Sequence, residues 1–188
     1  MVFLRHMAFL AFALLTGCAT TLVREEPKTI AVGEAGAKCA MAPLAEALLA
    51  RRGTSVQAIN GSWKEHAFTA ECVTKGVDGK FTAIFLAPQM RLATLTITPP
   101  HTLSFERARQ IPAAFEPEYA LFDLAVVNLP TMELRRALGE NFIVVEAGGV
   151  RTVVAGGVPV ARMTRLANGM CHYENLALDY VYDLKEVK

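Results

Sequence analysis

Three short turns constrain the fold of this chain more than any other feature. Val77–Lys80 reads Val-Asp-Gly-Lys, and Ala-Gly-Gly-Val occurs at Ala147–Val150 and again at Ala155–Val158. Asp-Gly and Gly-Gly tolerate the positive φ angles of a two-residue hairpin at little steric cost. Turns this tight join antiparallel neighbours, because a parallel pair needs a long crossover. The flanking runs therefore predict sequential antiparallel strands near residues 55–60, 66–75, 80–88, 91–98, 102–107, 119–129, 142–147, 150–155, 158–166 and 171–187.

Two segments carry a helical period instead. Met41, Leu44, Ala45, Leu48 and Leu49 share one face of a helix over 41–52, with Pro43 in its first turn. Arg51 and Arg52 suit its negative end, and Gly53 can stop it. A shorter helix follows Pro130: Thr131 can cap it, Leu134 and Leu138 share a face, and Gly139 ends it.

The strand faces suggest what the sheet encloses. In Asn175–Val187, Leu176, Leu178, Tyr180, Tyr182 and Leu184 alternate with Ala177, Asp179, Asp183 and Lys185, as in a strand wet on one side. Lys80–Ala87 is apolar on both faces, with Phe81, Ala83 and Phe85 opposite Ile84 and Leu86. Ala120–Leu129 is also apolar on both faces, apart from Asp123. Part of the sheet is thus covered twice or lines an apolar cavity. A curved sheet around a helix satisfies this, and so do two packed sheets.

The first residues carry a separate message. Arg5 and His6 precede an uncharged run from Met7 that is far too short to span a bilayer. A basic head, a short apolar middle and small residues mark an export leader. Leu15-Thr16-Gly17-Cys18 looks like a bacterial lipobox, in which the cysteine thiol is acylated and the leader is cut before it. More than one acyl chain on Cys18 would anchor the protein stably. Ala19, where an aspartate would favour the inner membrane in similar enterobacterial lipoproteins, points to the outer one. The expected organisation is a leader over 1–17, a lipidated cysteine and tether over 18–38, and a single β domain over 39–188.

Charge excludes some partners. Of 19 basic side chains only Arg5 lies in the leader, so 18 basic face 18 acidic groups in the remainder. That balance gives no electrostatic case for nucleic acid and argues against a polybasic membrane patch. Cys39, Cys72 and Cys171 make one disulfide plausible in an oxidising compartment, without deciding the pair. Their spacing is not that of a zinc site, and no cofactor is expected.

The order of these features, from lipobox through helix and β meander to "YALFDLAVVNLPTMELRRAL" and "VRTVVAGGVPVARMTRLANGMCHYENLALDYVYDLKEV", resembles a family of bacterial outer-membrane lipoproteins. These are often encoded near fatty-acid-synthase-like gene sets, including those for aryl polyenes. That family is similar to LolB and LolA, the lipoprotein receptor and its periplasmic carrier. The resemblance implies a mainly β fold with one or two helices, an incomplete antiparallel β-barrel wrapped over a helical lid. It further implies an acyl-binding cavity, for which Phe81, Ala83, Phe85, Leu176, Leu178, Tyr180 and Tyr182 are the candidate lining, and a LolA-like carrier as a possible partner. The ligand would be a lipid, a lipoprotein anchor or a polyene-type glycolipid. A structural or assembly factor without ligand is the alternative, and a lipid esterase or thioesterase comes third.

No catalytic residues are expected. Cys171 and His172 are neighbours, so on a strand they point to opposite faces and cannot pair. There is no G-x-S-x-G, H-E-x-x-H or P-loop. Asp123 reads as a buried structural carboxylate on a strand, which needs a basic or hydrogen-bonding partner close by; Arg151 and Arg162 are the candidates. The sharpest test of the leader is Cys18→Ala. The variant should stay uncleaved or leave the outer-membrane fraction, as read by the mass of the mature chain and by fractionation.

Overall fold

The structure, a computed structural model, describes residues 19–33, 36–63, 65–109, 111 and 115–187. Cys18 and the leader lie outside these residues. Strands β1 (Thr20–Arg24), β2 (Ile30–Val32) and β3 (Ala37–Cys39) precede helix α1 (Ala42–Leu49). A first meander follows: β4 (Gly53–Trp63), β5 (His66–Val77), β6 (Lys80–Ala87), β7 (Met90–Thr98) and β8 (Thr102–Arg107). Helices α2 (Pro117–Asn128) and α3 (Thr131–Leu138) lead into a second: β9 (Phe142–Ala147), β10 (Val150–Ala155), β11 (Val158–Arg165), β12 (Met170–Asn175) and β13 (Tyr180–Glu186).

The two meanders join through β4 and β13 into one eleven-stranded antiparallel sheet, ordered β1-β8-β7-β6-β5-β4-β13-β12-β11-β10-β9. The sheet is open: β1 and β9 are its edges, and it does not close into a barrel. The turns form as their residues dictate. Asp78 and Gly79 take φ of 50° and 70°, Gly148 and Gly149 58° and 79°, and Gly156 and Gly157 58° and 83°. Each pair has the double positive φ of a tight hairpin.

Register decides which residues share a face. Phe105, Leu95, Ala83 and Thr74 stand in one cross-strand row, and Ile59, Leu184 and Cys171 in another. Tyr182, Tyr173, Met163 and Arg151 form a third. These residues belong to the buried side of the sheet, where the helices complete a single core. Leu44, Ala45 and Leu48 of α1, Leu121–Val126 of α2, and Leu134 and Leu138 of α3 are buried against it.

Several expectations need correction. Residues 119–129 form helix α2 rather than a strand. Six consecutive residues, Leu121–Val126, are buried, so the helix has no polar face and no 3.6-residue period to read. Three helices form among the described residues rather than one or two. The last segment is two strands with a turn between them, which takes Leu176 and Leu178 off the common face. Residues 20–39 are not a free tether: β1 is hydrogen-bonded to β8, and β2 pairs with β3. Their strands are too short to show a period. The first helix ends at Leu49, where Arg52 Nη1 donates to the Leu49 carbonyl at 2.9 Å, the carboxyl-terminal role expected of it. Thr131 makes no cap; its hydroxyl meets Glu146 and accepts from Arg151 Nη2 at 3.0 Å. Cys39, Cys72 and Cys171 are free thiols, and burial pushes Cys39 and Cys72 up to about 12.

Arg151 holds the join between α2 and α3. It is 2% exposed and donates from Nη1 to the carbonyls of Val126 and Leu129, at 2.6 and 2.8 Å. Its other nitrogens meet Glu146 at 3.1–3.2 Å. Arg151→Met would bury two helix-end carbonyls without donors and leave Glu146 only Arg165 and the Thr131 hydroxyl. The expected loss is about 3 kcal/mol of stability, read as a lowered urea midpoint at constant m-value.

Candidate functional site

The most concentrated chemistry on the buried side lies where α2 crosses β12 and β13. Successive turns of α2 place Glu118, Asp123 and the carboxyl-terminal carbonyls along the sheet. Asp123 sits in mid-helix and is 8% exposed. The hydroxyls of Tyr173 and Tyr180 both donate to its carboxylate. Asn175 Nδ2 donates to Asp123 Oδ1 at 3.0 Å and also lies 3.0 Å from the Tyr180 oxygen. All three partners come from β12 and β13, where Asn175 and Tyr180 are opposite each other in register.

Tyr182 completes the cluster without a bond to Asp123. Its ring stacks on Tyr173 with centroids 4.8 Å apart, and lies 6.2 Å from Tyr180. Gly61 makes room for it. A Cβ there would meet the Val181 carbonyl at 2.5 Å and Tyr182 Cβ at 2.6 Å. Three tyrosines and one asparagine thus form a polar floor under an otherwise apolar helix.

Asp123 is therefore paired, but not with an arginine. Arg151 is engaged with the end of α2, and Arg162 lies 3.4 Å from Glu174. The pairing is between a buried carboxylate and neutral donors. Burial raises the Asp123 carboxyl to about 6, against the pull of hydrogen bonds from Tyr173, Tyr180 and Asn175. Burial, with the Asp123 charge close by, also holds Tyr173 and Tyr180 well above the usual phenol range, so both hydroxyls remain donors.

The start of α2 is fixed by a second network. Glu118 is fully buried, and one of its oxygens accepts from Arg24 of β1 and from the Lys28 backbone N–H at 3.0 Å. Its other oxygen has no partner among the described residues. Arg24 also reaches Glu116 at 2.6 Å, and that bond holds the Glu116 carboxyl below its usual range.

The candidate lining residues fall into separate places. Phe81 and Ala83 are buried and Phe85 half-buried on the inner side of β6. Tyr180 and Tyr182 are on the same side of β13, with β5 and β4 between. Leu178 lies in the β12–β13 turn, its N–H bonded to Asn175 Oδ1 at 3.0 Å. Leu176 in the same turn is 41% exposed and does not face the interior. Sequence reasoning missed Tyr173, Asn175, Glu118 and Arg24. A tyrosine and an asparagine two apart, on the face of a strand that pairs with Tyr180 and Tyr182, were the available signal.

The space over the sheet is taken by the helices. Two open clefts, of about 160 and 150 Å³, lie at the rim rather than inside. Small-molecule pockets usually begin near ~300 Å³. His172 Nδ1 is 2.7 Å from Asp183 Oδ1, while Cys171 lies opposite Leu184 on the other face, so no nucleophile stands beside that pair. No group of three or more His, Cys, Asp or Glu suited to a metal occurs among the described residues. No helix among them is long and apolar enough to cross a membrane.

The Asp123 cluster sets a pH dependence. Between about pH 4 and 6 the folded chain keeps a proton that the unfolded carboxyl, near 3.8, has released. Stability from this group is therefore greatest below pH 4 and is lost as pH rises through 6. The difference is about 3 kcal/mol. Asp123→Asn should remove this slope. The measurement is the wild-type minus variant difference in urea midpoint at pH 4.5 and pH 7, which cancels the opposite slope from Glu116.

Residues 54–188 match the family described as "Protein of unknown function (DUF3261)". The match begins in β4 and takes in both meanders and the helices between them. No curated protein and no solved structure matches the chain.

Proposed function

The chain belongs to the DUF3261 family, and we propose that it is an outer-membrane lipoprotein, anchored through Cys18, that binds acyl chains between its open sheet and its helices. It hands them on or inserts them without a covalent step. The ligand class is a lipid, a lipoprotein anchor or a polyene-type glycolipid, and a LolA-like carrier is the proposed donor. What supports this reading is an antiparallel sheet that does not close into a barrel and whose apolar side is covered by helices; that this architecture is LolB-like is part of the proposal.

The observation that carries the reading is the character of α2. Packing alone does not fix where an apolar helix lies on a sheet. This one buries six residues in a row and is fastened at its start, middle and end by Arg24, by the Tyr173–Asn175–Tyr180 floor, and by Arg151. Such bonds fix a helix in one place and can be exchanged for water when it leaves. The apolar surface beneath would then accept aliphatic chains, with Phe81, Ala83, Phe85, Tyr180 and Tyr182 in its wall. In this closed arrangement the helices occupy that space, so binding requires α2 to swing out. The filled interior favours the second reading, a structural factor of the envelope with no ligand.

Titration with a fluorescent fatty acid separates the two. The acyl-binding reading expects saturable uptake, one probe per chain, and competition by unlabelled fatty acids. Affinity should rise with chain length, by up to about 0.8 kcal/mol per methylene. Absence of saturable uptake, with no lipid carried through purification from native membranes, leaves only the structural reading.

A further inference from the structure

Building on the Cys18 anchor proposed above, we infer that the domain rests directly on the phospholipid bilayer. The rim formed by the start of β1, the end of β8 and the β6–β7 turn would lie in the headgroup layer. The argument begins with chain length. Thr20 is already paired with Arg107, and only Ala19 separates it from Cys18. Two residues span at most about 7 Å. The headgroup layer is itself about 5–8 Å deep on each side of the hydrocarbon. A cysteine whose acyl chains are in the bilayer therefore leaves the domain no stalk, and the rim that carries Thr20 must meet headgroups.

The groups on that rim suit phosphates. Ala19, Arg91 and Arg107 line the 160 Å³ cleft. The Arg91 side chain is 57% exposed and only loosely paired, 3.9 Å from Glu106. Arg107 donates one Nη1 to the Ile111 carbonyl at 2.8 Å, which leaves other donors of its fork. Arg109 beyond it is exposed. Guanidinium forks match phosphate oxygens in geometry as well as charge. Met90 in the neighbouring turn, 37% exposed, adds an apolar contact beside them. The near-neutral balance of the whole chain conceals this corner, where Arg91, Arg107 and Arg109 outnumber Glu106 and, two strands from Arg91 in the same row, Glu71. The opposite rim, where Lys80 begins β6, is one strand length away, about 25 Å.

The test uses the full chain, matured in cells and reconstituted into vesicles of phosphatidylethanolamine and phosphatidylglycerol. A fluorophore is placed on Met90→Cys or on Lys80→Cys, with Cys171 replaced by Ser, and quenched by nitroxide-bearing lipids. Mass spectrometry of the mature chain is done first. A chain with no acyl group on Cys18 overturns the anchor reading and the docking together. With acylation present, the Met90 label should be quenched severalfold more than the Lys80 label. Equal or reversed quenching overturns the docking alone. Arg91→Gln with Arg109→Gln should weaken Met90 quenching at low salt, each arginine contributing up to about fivefold in surface affinity. An unchanged signal overturns the arginine–phosphate contact.

Discussion

One apolar helix with three polar fastenings organises this structure. Burying α2 satisfies the hydrophobic demand of Leu121–Val126 but does not by itself specify where along the sheet the helix lies. Apolar contact is non-directional. Direction comes from Arg24 on Glu118, from the tyrosine floor on Asp123, and from Arg151 on the terminal carbonyls. Together these bonds tie the first strand, the last two strands and the β10 hairpin to one element. Each is directional, and a register slip of α2 would leave a buried charge or carbonyl without its partner.

The fastenings differ in kind. Arg151 makes a dense set of bonds in a site almost closed to water, and its loss cannot be repaired by solvent. Asp123 is held by neutral donors alone, so its ionised form is tolerated rather than favoured. Arg24 meets two glutamates at the edge strand, where water can compete for the more exposed Glu116.

The sheet matters to the same question because it is open. Eleven strands in antiparallel order, without closure, leave an apolar side that needs a cover. Here α1, α2 and α3 supply it. Edge strand β9 is shielded in part by α3, where Arg135 Nε donates to the Val144 carbonyl at 2.8 Å, which blunts that edge against pairing with other chains. Edge strand β1 lies next to the chain's proposed point of attachment, which ties the orientation of the sheet to that attachment.

Local chemistry was enough to place the tight hairpin turns, α1, α3 and the strands of the two meanders, except that β12 and β13 read as one strand. Asp78-Gly79 and the two Gly-Gly pairs set their own backbone angles whatever surrounds them. The faces of β6 and β13 followed from period-two alternation, which put Phe81, Ala83, Tyr180 and Tyr182 inside. Sequence also marked Asp123 as a buried carboxylate needing a partner. It could not identify α2: a segment buried on every side has no wet face, so helix and strand read alike. It could not find Tyr173 and Asn175 as the partners, since they lie 50 and 52 residues from Asp123. Nor could it find β1, whose five residues are a strand only because β8 offers an edge. What repeats along the chain was determined by the sequence alone. What depends on a distant element filling the space, or offering the hydrogen bond, was decided by the tertiary structure.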